Sequence, residues 1–419
     1  MAARREGLRI LFLSHYFPPE IGAPQIRMYE LAQQLARGGD SVTVLTAFPN
    51  YPTGVVQEGY RGRFSMVEHV GEVTVVRRWV YATPNEGFFK RIVNHLSFVA
   101  TSLTALRKVG RVDVMFVQSP PLLIGLSTLM FSWLKRAPYV FNVSDIWPQS
   151  AVELGVLRNP LAIRLAEALE RRLYRKAARV TVPTRGMHAR LSGRVSPPGK
   201  VVLLTNGVDV DVYGPQAPDM DLARRLGLEG RKVFLYAGTH GLSQGLGVIL
   251  DAARITNDPD ILYVLAGEGA DKAALVARAE REGLANVRFL PNQRKESMPS
   301  FLNLAYAAII TLKPLDVFKA ALPSKMFESM AVAQPIIGSL WGEAAELIEQ
   351  ADCGLVAAPG DAVALQQAVA ALAADPGRAR EMGRNGRAHV VEHFNRAKIA
   401  LRLRDLLAEA ARPRDEARV

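Results

Sequence analysis

The segment "ALPSKMFESMAVAQPIIGS" at 321–339 sets one lysine and one glutamate, Lys325 and Glu328, among Met, Phe, Ala and Ile. Pro323 and Ser324 read as a helix start and Pro335 as its stop, with Met326, Phe327, Met330 and Ala331 along an apolar stripe. Three residues apart on such a helix, Lys325 and Glu328 leave the stripe together and face one region near the helix N-terminus. Unpaired N–H groups and the positive end of the helix dipole favour an anion there, and Lys325 adds a full charge. A carboxylate one turn in accepts two hydroxyl hydrogen bonds, so a diphosphate joined to a ribose would use both groups. The alternative is an i,i+3 ion pair on a solvated face, worth about a few tenths of a kcal/mol.

A second stretch, "YAGTHGLSQGLGVILDAA" at 236–253, reads as strand, glycine-rich turn and helix. Gly238, Gly241 and Gly245 let backbone amides approach a phosphate, or simply form a tight turn. His15, at the end of the first strand, either lines a cleft or is a hydrogen-bonded buried histidine. "DVD" (209–211) and "DMD" (219–221) imitate a metal-binding Asp-x-Asp but follow "NG" in a Pro/Gly/Asp-rich segment, so they read as turns. "GEGADK" (267–272) holds half of a dinucleotide fingerprint without its third glycine and reads as a strand-end turn. No metal and no cofactor are expected. Cys353 stands alone, which excludes an intrachain disulfide and suits a reducing compartment.

Elements of a recognisable kind must hold these residues. "LRILFLS", "SVTVLTAF", "VDVMFVQ" and "PYVFNVS" are short apolar runs separated by helical patterns, the signature of a parallel sheet with crossover helices. The pattern restarts with "KVFLYAG", "ILYVLAG", "VRFLP", "AYAAIITL" and "PIIGSL". At 419 residues the chain suits two domains of roughly 200 each. We expect one at 1–200, joined by a C-terminal helix at about 396–412, one at 201–395, and a disordered charged tail at 413–419. Open parallel sheets bind ligands beyond the carboxyl ends of their strands, so function is expected in a cleft between two such domains. "LLIGLSTLMFSWL" (122–134) is shorter than a membrane span and reads as a buried helix. The run after "MAARREG" is too short for a signal sequence and reads as the first strand.

These ordered pieces together resemble the retaining glycosyltransferases of family 4, whose architecture is GT-B, two Rossmann-like α/β domains. "PPEIGAPQIRMYELAQQLARGGDSVTVLT" looks like that family's first loop and helix, "KVVLLTNGVDVDVYGP" like its linker, and "PSKMFESMAVAQPII" like its nucleotide-sugar helix. "PNYPTG" (49–54) and "DIWPQS" (145–150) resemble a fucosamine-type branch of surface polysaccharide assembly. The resemblance implies that Glu328 binds the ribose of a nucleoside-diphosphate sugar. It places Lys325, Ser324 and the turn with Gly238, Thr239, His240, Gly241 and Gln244 near the phosphates, and brings Gly22 to the donor phosphate. Asp145 lies beside the reacting sugar, and His15 and Asn50 fall on the acceptor side. There are departures: Ala320 replaces a second glutamate, Ser144 replaces a histidine, and Ala23 replaces a loop glycine. Thr239 or His240, and Gln244, replace an arginine and a lysine. The lost charge is expected from Lys325 and Lys319, with Lys313 and His240 as further candidates.

A net charge of +12 favours anionic partners, yet no zinc-finger, RNA-recognition or aromatic-platform signature points to nucleic acid. Residues 87–111 carry Phe88, Phe89, Ile92, Val93, Leu96, Phe98 and Val99 with Lys90, Arg91, Arg107, Lys108 and Arg111. Such a helix either lies on an anionic bilayer or packs on the amino domain. The expected activity is sugar transfer from a UDP-sugar to a polyprenyl-diphosphate-linked glycan, with retention, on the cytoplasmic face of the plasma membrane. A non-catalytic nucleotide-sugar-binding subunit and a GT-B epimerase are the rival readings.

Overall fold

The short apolar runs become strands, and the computed structural model, which describes residues 7–20, 22–51, 53–83, 88–153 and 155–412, gathers them into two sheets. The chain divides into unit 1, up to Thr205 and again from Ala397, and unit 2, Asn206–Arg396.

Unit 1 contains β1 (Arg9–Leu13), β2 (Ser41–Ala47), β3 (Ser65–Val70), β4 (Val73–Arg78), β5 (Val114–Ser119), β6 (Tyr139–Val143), β7 (Arg179–Val182) and β8 (Val201–Leu203). Their order is β3-β4-β2-β1-β5-β6-β7-β8, parallel except for the antiparallel pair β3–β4. Period-two alternation sends Leu11 and Leu13 into one core and Ile10 and Phe12 into the core on the opposite face, so both faces are covered. The β3–β4 hairpin was not foreseen; Gly71, at φ 58°, makes its turn, and the polar alternation of "SMVEHV" marks a half-exposed edge strand.

Helix Ile124–Lys135 corrects the buried-helix expectation. Ile124, Ser127, Thr128 and Phe131 face inward, whereas Trp133 is 73% exposed and Met130 and Leu134 also reach solvent. Among the described residues no helix is long and apolar enough to cross a membrane. Helix Arg396–Ala411 returns the chain to unit 1, where Ile399, Ala400, Leu403 and Leu407 join the core of Phe12, Leu31 and Leu35. Arg404 there donates to both oxygens of the buried Asp40 carboxylate at 3.0 and 3.2 Å. The tail at 413–419 lies outside the described residues.

Unit 2 contains β9 (Lys232–Ala237), β10 (Ile261–Ala266), β11 (Val287–Leu290), β12 (Ala307–Thr311), β13 (Ile336–Ser339) and β14 (Gly354–Ala357), all parallel in the order β11-β10-β9-β12-β13-β14. The chain runs outward from β9 on one side and from β12 on the other, which puts a topological switch point between them. The acidic triplets do form turns and caps: the Asp209 carboxylate accepts from the Asp211 and Val212 amides, and Asp219 caps helix Met220–Leu226. Among the described residues no cluster of His, Cys, Asp or Glu could hold a metal.

Candidate functional site

In unit 2 the loops beyond β9 and β12 meet at the switch point, where the Lys313 amide donates to the Ser243 carbonyl at 3.0 Å. Helix Ser324–Ala331 begins at Pro323, with no side chain capping its first turn, and buries Met326, Phe327, Met330 and Ala331 completely. That anchored stripe fixes the direction of the polar face. The Lys325 ammonium lies 3.8 Å from the centroid of the Tyr236 ring and donates to Gln244 Oε1 at 3.0 Å. The Tyr236 hydroxyl lies 2.7 Å from the Thr239 carbonyl oxygen and 3.1 Å from Gln244 Oε1. Burial pulls the Lys325 pKa down to about 7, while the nearby Glu328 carboxylate pushes it up. A second anion beside Lys325 would favour its charged form.

Gly238 adopts φ 151°, and a Cβ there would sit 3.2 Å from the Lys325 nitrogen. Its neighbours Gly267 and Gly269 allow the loop after β10 to touch it: a Cβ on Gly267 would lie 1.8 Å from the Gly238 carbonyl oxygen. The "GEGADK" stretch is thus a supporting turn, tied to His240 through hydrogen bonds of 2.9 Å from His240 N to Glu268 O and from Asp271 N to His240 O.

The structure sorts the cations that the sequence offered as replacements. His240 is fully buried, with both ring nitrogens lacking a protein partner, and burial and Lys272 lower its pKa to about 4. It is neutral at physiological pH and supplies no charge. Lys319 pairs with Asp316 at 2.8 Å and lies over the Trp341 ring at 4.7 Å. Lys313 is exposed and packs its stem against Gly245, where a Cβ would meet its Cγ at 3.3 Å. Thr239 is exposed, and Gly241 and Ser324 are partly buried.

Unit 1 has its own switch point, between β1 and β5. Residues from the loops after β1, β2 and β4 and from helix Phe88–Leu103 line a polar pocket there: Tyr16, Asn50, Tyr51, Arg91, Asn94 and His95. His15 lies behind it, buried, with Nε2 2.9 Å from Asn94 Oδ1 and its ring 4.9 Å from that of His95. Its Nδ1 has no partner. Burial first, and then the neighbouring His95, hold the His15 pKa well below its ordinary value; burial and Arg91 lower His95 to about 4. Both imidazoles are neutral and suited to hydroxyl groups. Glu20 fastens the pocket, accepting from the amides of Phe17 at 3.1 Å and of Asn50 and Tyr51 at 2.8 Å. Sequence reasoning missed Glu20, Asn94, His95 and Tyr236; the one signal was the "PPE" preceding the loop, since a lone carboxylate beside prolines suggests a loop clamp.

Asp145 follows β6, partly buried, and accepts from Ser150 Oγ at 2.8 Å, so "DIWPQS" closes on itself. Burial raises its pKa against that hydrogen bond. Ser144 sits 2.9 Å from Gln118 Nε2 and 3.2 Å from Asn142 Nδ2 in a buried polar network. Gly22 caps helix Ala23–Arg37 in extended backbone, and a Cβ there would collide with the Gln25 side chain at 2.4 Å.

Comparison with known proteins follows these divisions. Residues 22–207 match the glycosyl transferase 4-like domain, and residues 221–389 match glycosyl transferases group 1. The chain is 27% identical to WcaI of Escherichia coli (strain K12), named as a colanic acid biosynthesis glycosyl transferase, over 78% of this chain and 81% of that one. Sucrose-phosphate synthase of Thermosynechococcus elongatus superposes with a TM-score of 0.76 at 21% identity, covering 97% of this chain and 99% of that one. HepE of Anabaena, solved with UDP and glucose, gives 0.73 at 17% identity over 96% and 99%. With two parallel-sheet α/β units and structural neighbours of the GT-B class, the chain belongs to the glycosyltransferases that join a glycosyl transferase 4-like domain to a group 1 domain.

Proposed function

We propose that this glycosyltransferase moves a sugar from a UDP-sugar to a lipid-linked glycan, with retention, in the assembly of a bacterial surface polysaccharide. The observation that carries the donor reading is the uncapped start of helix Ser324–Ala331, with Lys325, Gln244 and the glycine backbone gathered beside it at a switch point. That arrangement suits a diphosphate, and Glu328 suits the ribose hydroxyls. The UDP in HepE and the colanic acid in the name of WcaI agree with this reading.

Transfer breaks the bond between the anomeric carbon and the phosphate oxygen. Negative charge grows on the leaving diphosphate, where Lys325 and backbone amides stabilise it. The acceptor hydroxyl passes its proton to a leaving phosphate oxygen and bonds to the sugar on the same face, which preserves configuration. Asp145 is assigned to the oxocarbenium-like sugar, and the polar side chains around the unit 1 pocket to acceptor hydroxyls. Peripheral attachment to the inner face of the plasma membrane is supported by Phe89 and Trp133, 76% and 73% exposed, with Lys90, Arg107, Lys108 and Arg136 on the same two helices or just beyond them. Those helices pack together through Ser102 and Ser127 at 2.8 Å.

Calorimetric titration of UDP and nucleotide sugars into wild type and Glu328→Ala tests the donor site. Loss of binding in the variant supports it, and equal affinity overturns it. UDP release that requires an acceptor supports transfer. Binding without turnover favours a non-catalytic subunit, and a changed sugar without acceptor favours an epimerase, readings that Ala320 and the replaced cations keep in play.

A further inference from the structure

Beside the polar pocket, unit 1 carries an open groove of about 450 Å³ whose walls are apolar and largely aromatic: Phe48, Val55, Tyr60, Phe64 and Trp79. The volume lies within the range of ligand sites, about 300–1,000 Å³. Phe48 and Tyr60 form the inner wall, ring to ring at 6.0 Å, and Arg77, buried and paired with Glu68, stacks 5.1 Å over Tyr60 from behind. The outer wall is unusual for a soluble face. Val55, Phe64 and Trp79 are 51%, 54% and 41% exposed, three large apolar side chains held open to solvent around one depression.

The loop that builds the groove is fixed by its own hydrogen bonds, from Gly54 N to Asn50 O at 2.7 Å, Gln57 N to Pro49 O at 2.9 Å and Tyr60 N to Gln57 O at 3.2 Å. Trp79 is tied to the opposite side through its amide to the Phe64 carbonyl at 3.0 Å. Two arginines, Arg61 and Arg63, also line the groove. Arg61 donates to the Val56 carbonyl and Arg63 to the Met66 sulfur, and neither is paired with a carboxylate among the described residues. Both are exposed. Lys108 reaches the same neighbourhood, donating to Ser65 at 2.8 Å.

The groove and the polar pocket share one wall. Gly54 lines the pocket and the next residue, Val55, lines the groove, so one loop borders both. With Arg61 and Arg63 in its lining, the groove suits a ligand that joins an apolar chain to negative charge. We infer that the groove seats the first part of an isoprenoid chain whose diphosphate is held by Arg61 and Arg63. This rests on the lipid-linked acceptor of the proposed function and gives it a location. Two unpaired guanidinium groups match a diphosphate, and an aromatic trough matches a methyl-branched, unsaturated chain. The groove admits only a segment of such a chain. The remainder continues into the bilayer, beside the exposed Phe89 and Leu96 of the neighbouring helix.

Farnesyl diphosphate serves as probe, with farnesol and inorganic diphosphate as its two halves, titrated calorimetrically into the full chain. Wild type is expected to bind farnesyl diphosphate at least about tenfold more tightly than either half. Phe64→Ser and Val55→Ser are surface changes and should leave the melting temperature unaltered while weakening it about tenfold each, the loss expected for one apolar side chain. Phe64→Leu retains most of the affinity. The double change Arg61→Gln, Arg63→Gln removes most of the preference for farnesyl diphosphate over farnesol. UDP does not displace the probe, and all variants keep wild-type UDP affinity. Displacement by UDP, unchanged affinity in both Phe64→Ser and Val55→Ser, or binding that appears only with anionic phosphatidylglycerol vesicles overturns the assignment. Failure of wild type to bind UDP at all would sink the donor reading and leave the groove result standing.

Discussion

The two switch points present different groups. Unit 2 presents backbone and one partly buried lysine: Gly238 and the bare helix start leave room, and Lys325, with a pKa near 7, responds to nearby charge. Unit 1 presents side chains locked in place, with Glu20 clamping three amides and two imidazoles kept neutral by burial. The contrast teaches two ways of holding charge: unit 2 carries a lysine whose pKa its surroundings lower, and unit 1 sets Arg91 beside imidazoles that burial keeps neutral.

The largest expected break comes at the lysine. Lys325→Ala should lower kcat by about 10²–10³, the usual loss of one preorganised group facing developing charge, with UDP release assays as the readout. Next is the clamp of the other unit: Glu20→Ala leaves three amides without their acceptor and should cost about 2–3 kcal/mol in urea unfolding. It should raise the acceptor KM and leave UDP affinity alone, which sharpens the division of labour. Gly238→Ala forces a side chain into φ 151° and against the Lys325 nitrogen, and should weaken UDP about tenfold by calorimetry; Gly241→Ala, with no atom closer than 3.8 Å to its Cβ, should do far less.

The pH effect follows from the same lysine. Bound diphosphate raises the Lys325 pKa from about 7, so binding takes up a proton and donor affinity falls as pH rises above 7, by at most about tenfold per unit. Titrations in buffers of different ionisation heat detect that proton. In the ligand-free chain the sign differs: the folded pKa lies below the unfolded one, so this group alone makes stability increase between pH 7 and the ordinary lysine range. The smallest effect is assigned to Lys319→Ala, less than about threefold in kcat, because an exposed pair such as Lys319–Asp316 contributes little.

Much of this was legible in the sequence for a physical reason. Strands buried on both faces, such as "VDVMFVQ", are continuous apolar runs, and the stripe of Met326, Phe327, Met330 and Ala331 declares its helix and hence the direction of Lys325. The β3–β4 edge was not legible, because half-exposed strands alternate with charges and look like loop. The burial of His240, one of four candidate sources of charge, was not legible, because local sequence says nothing of the close approach of Gly267 and Gly269, about thirty residues on. The partner of Lys325, Gln244, is 81 residues away, and only the fold brings them together. The neutral histidine pair was hidden for the same reason: His15 and His95 lie on a strand end and a helix that meet only in three dimensions.

Helix Arg396–Ala411 completes a core whose other members lie before residue 205. Ribosomes deliver that helix after all of unit 2, so during translation the groove awaiting Ile399, Leu403 and Leu407 stays bare while the later half of the polypeptide is made. Nascent chains stalled before residue 396 should recruit holdase chaperones through this bare groove, and fragments ending near 205 should precipitate unless the helix is supplied as a separate peptide.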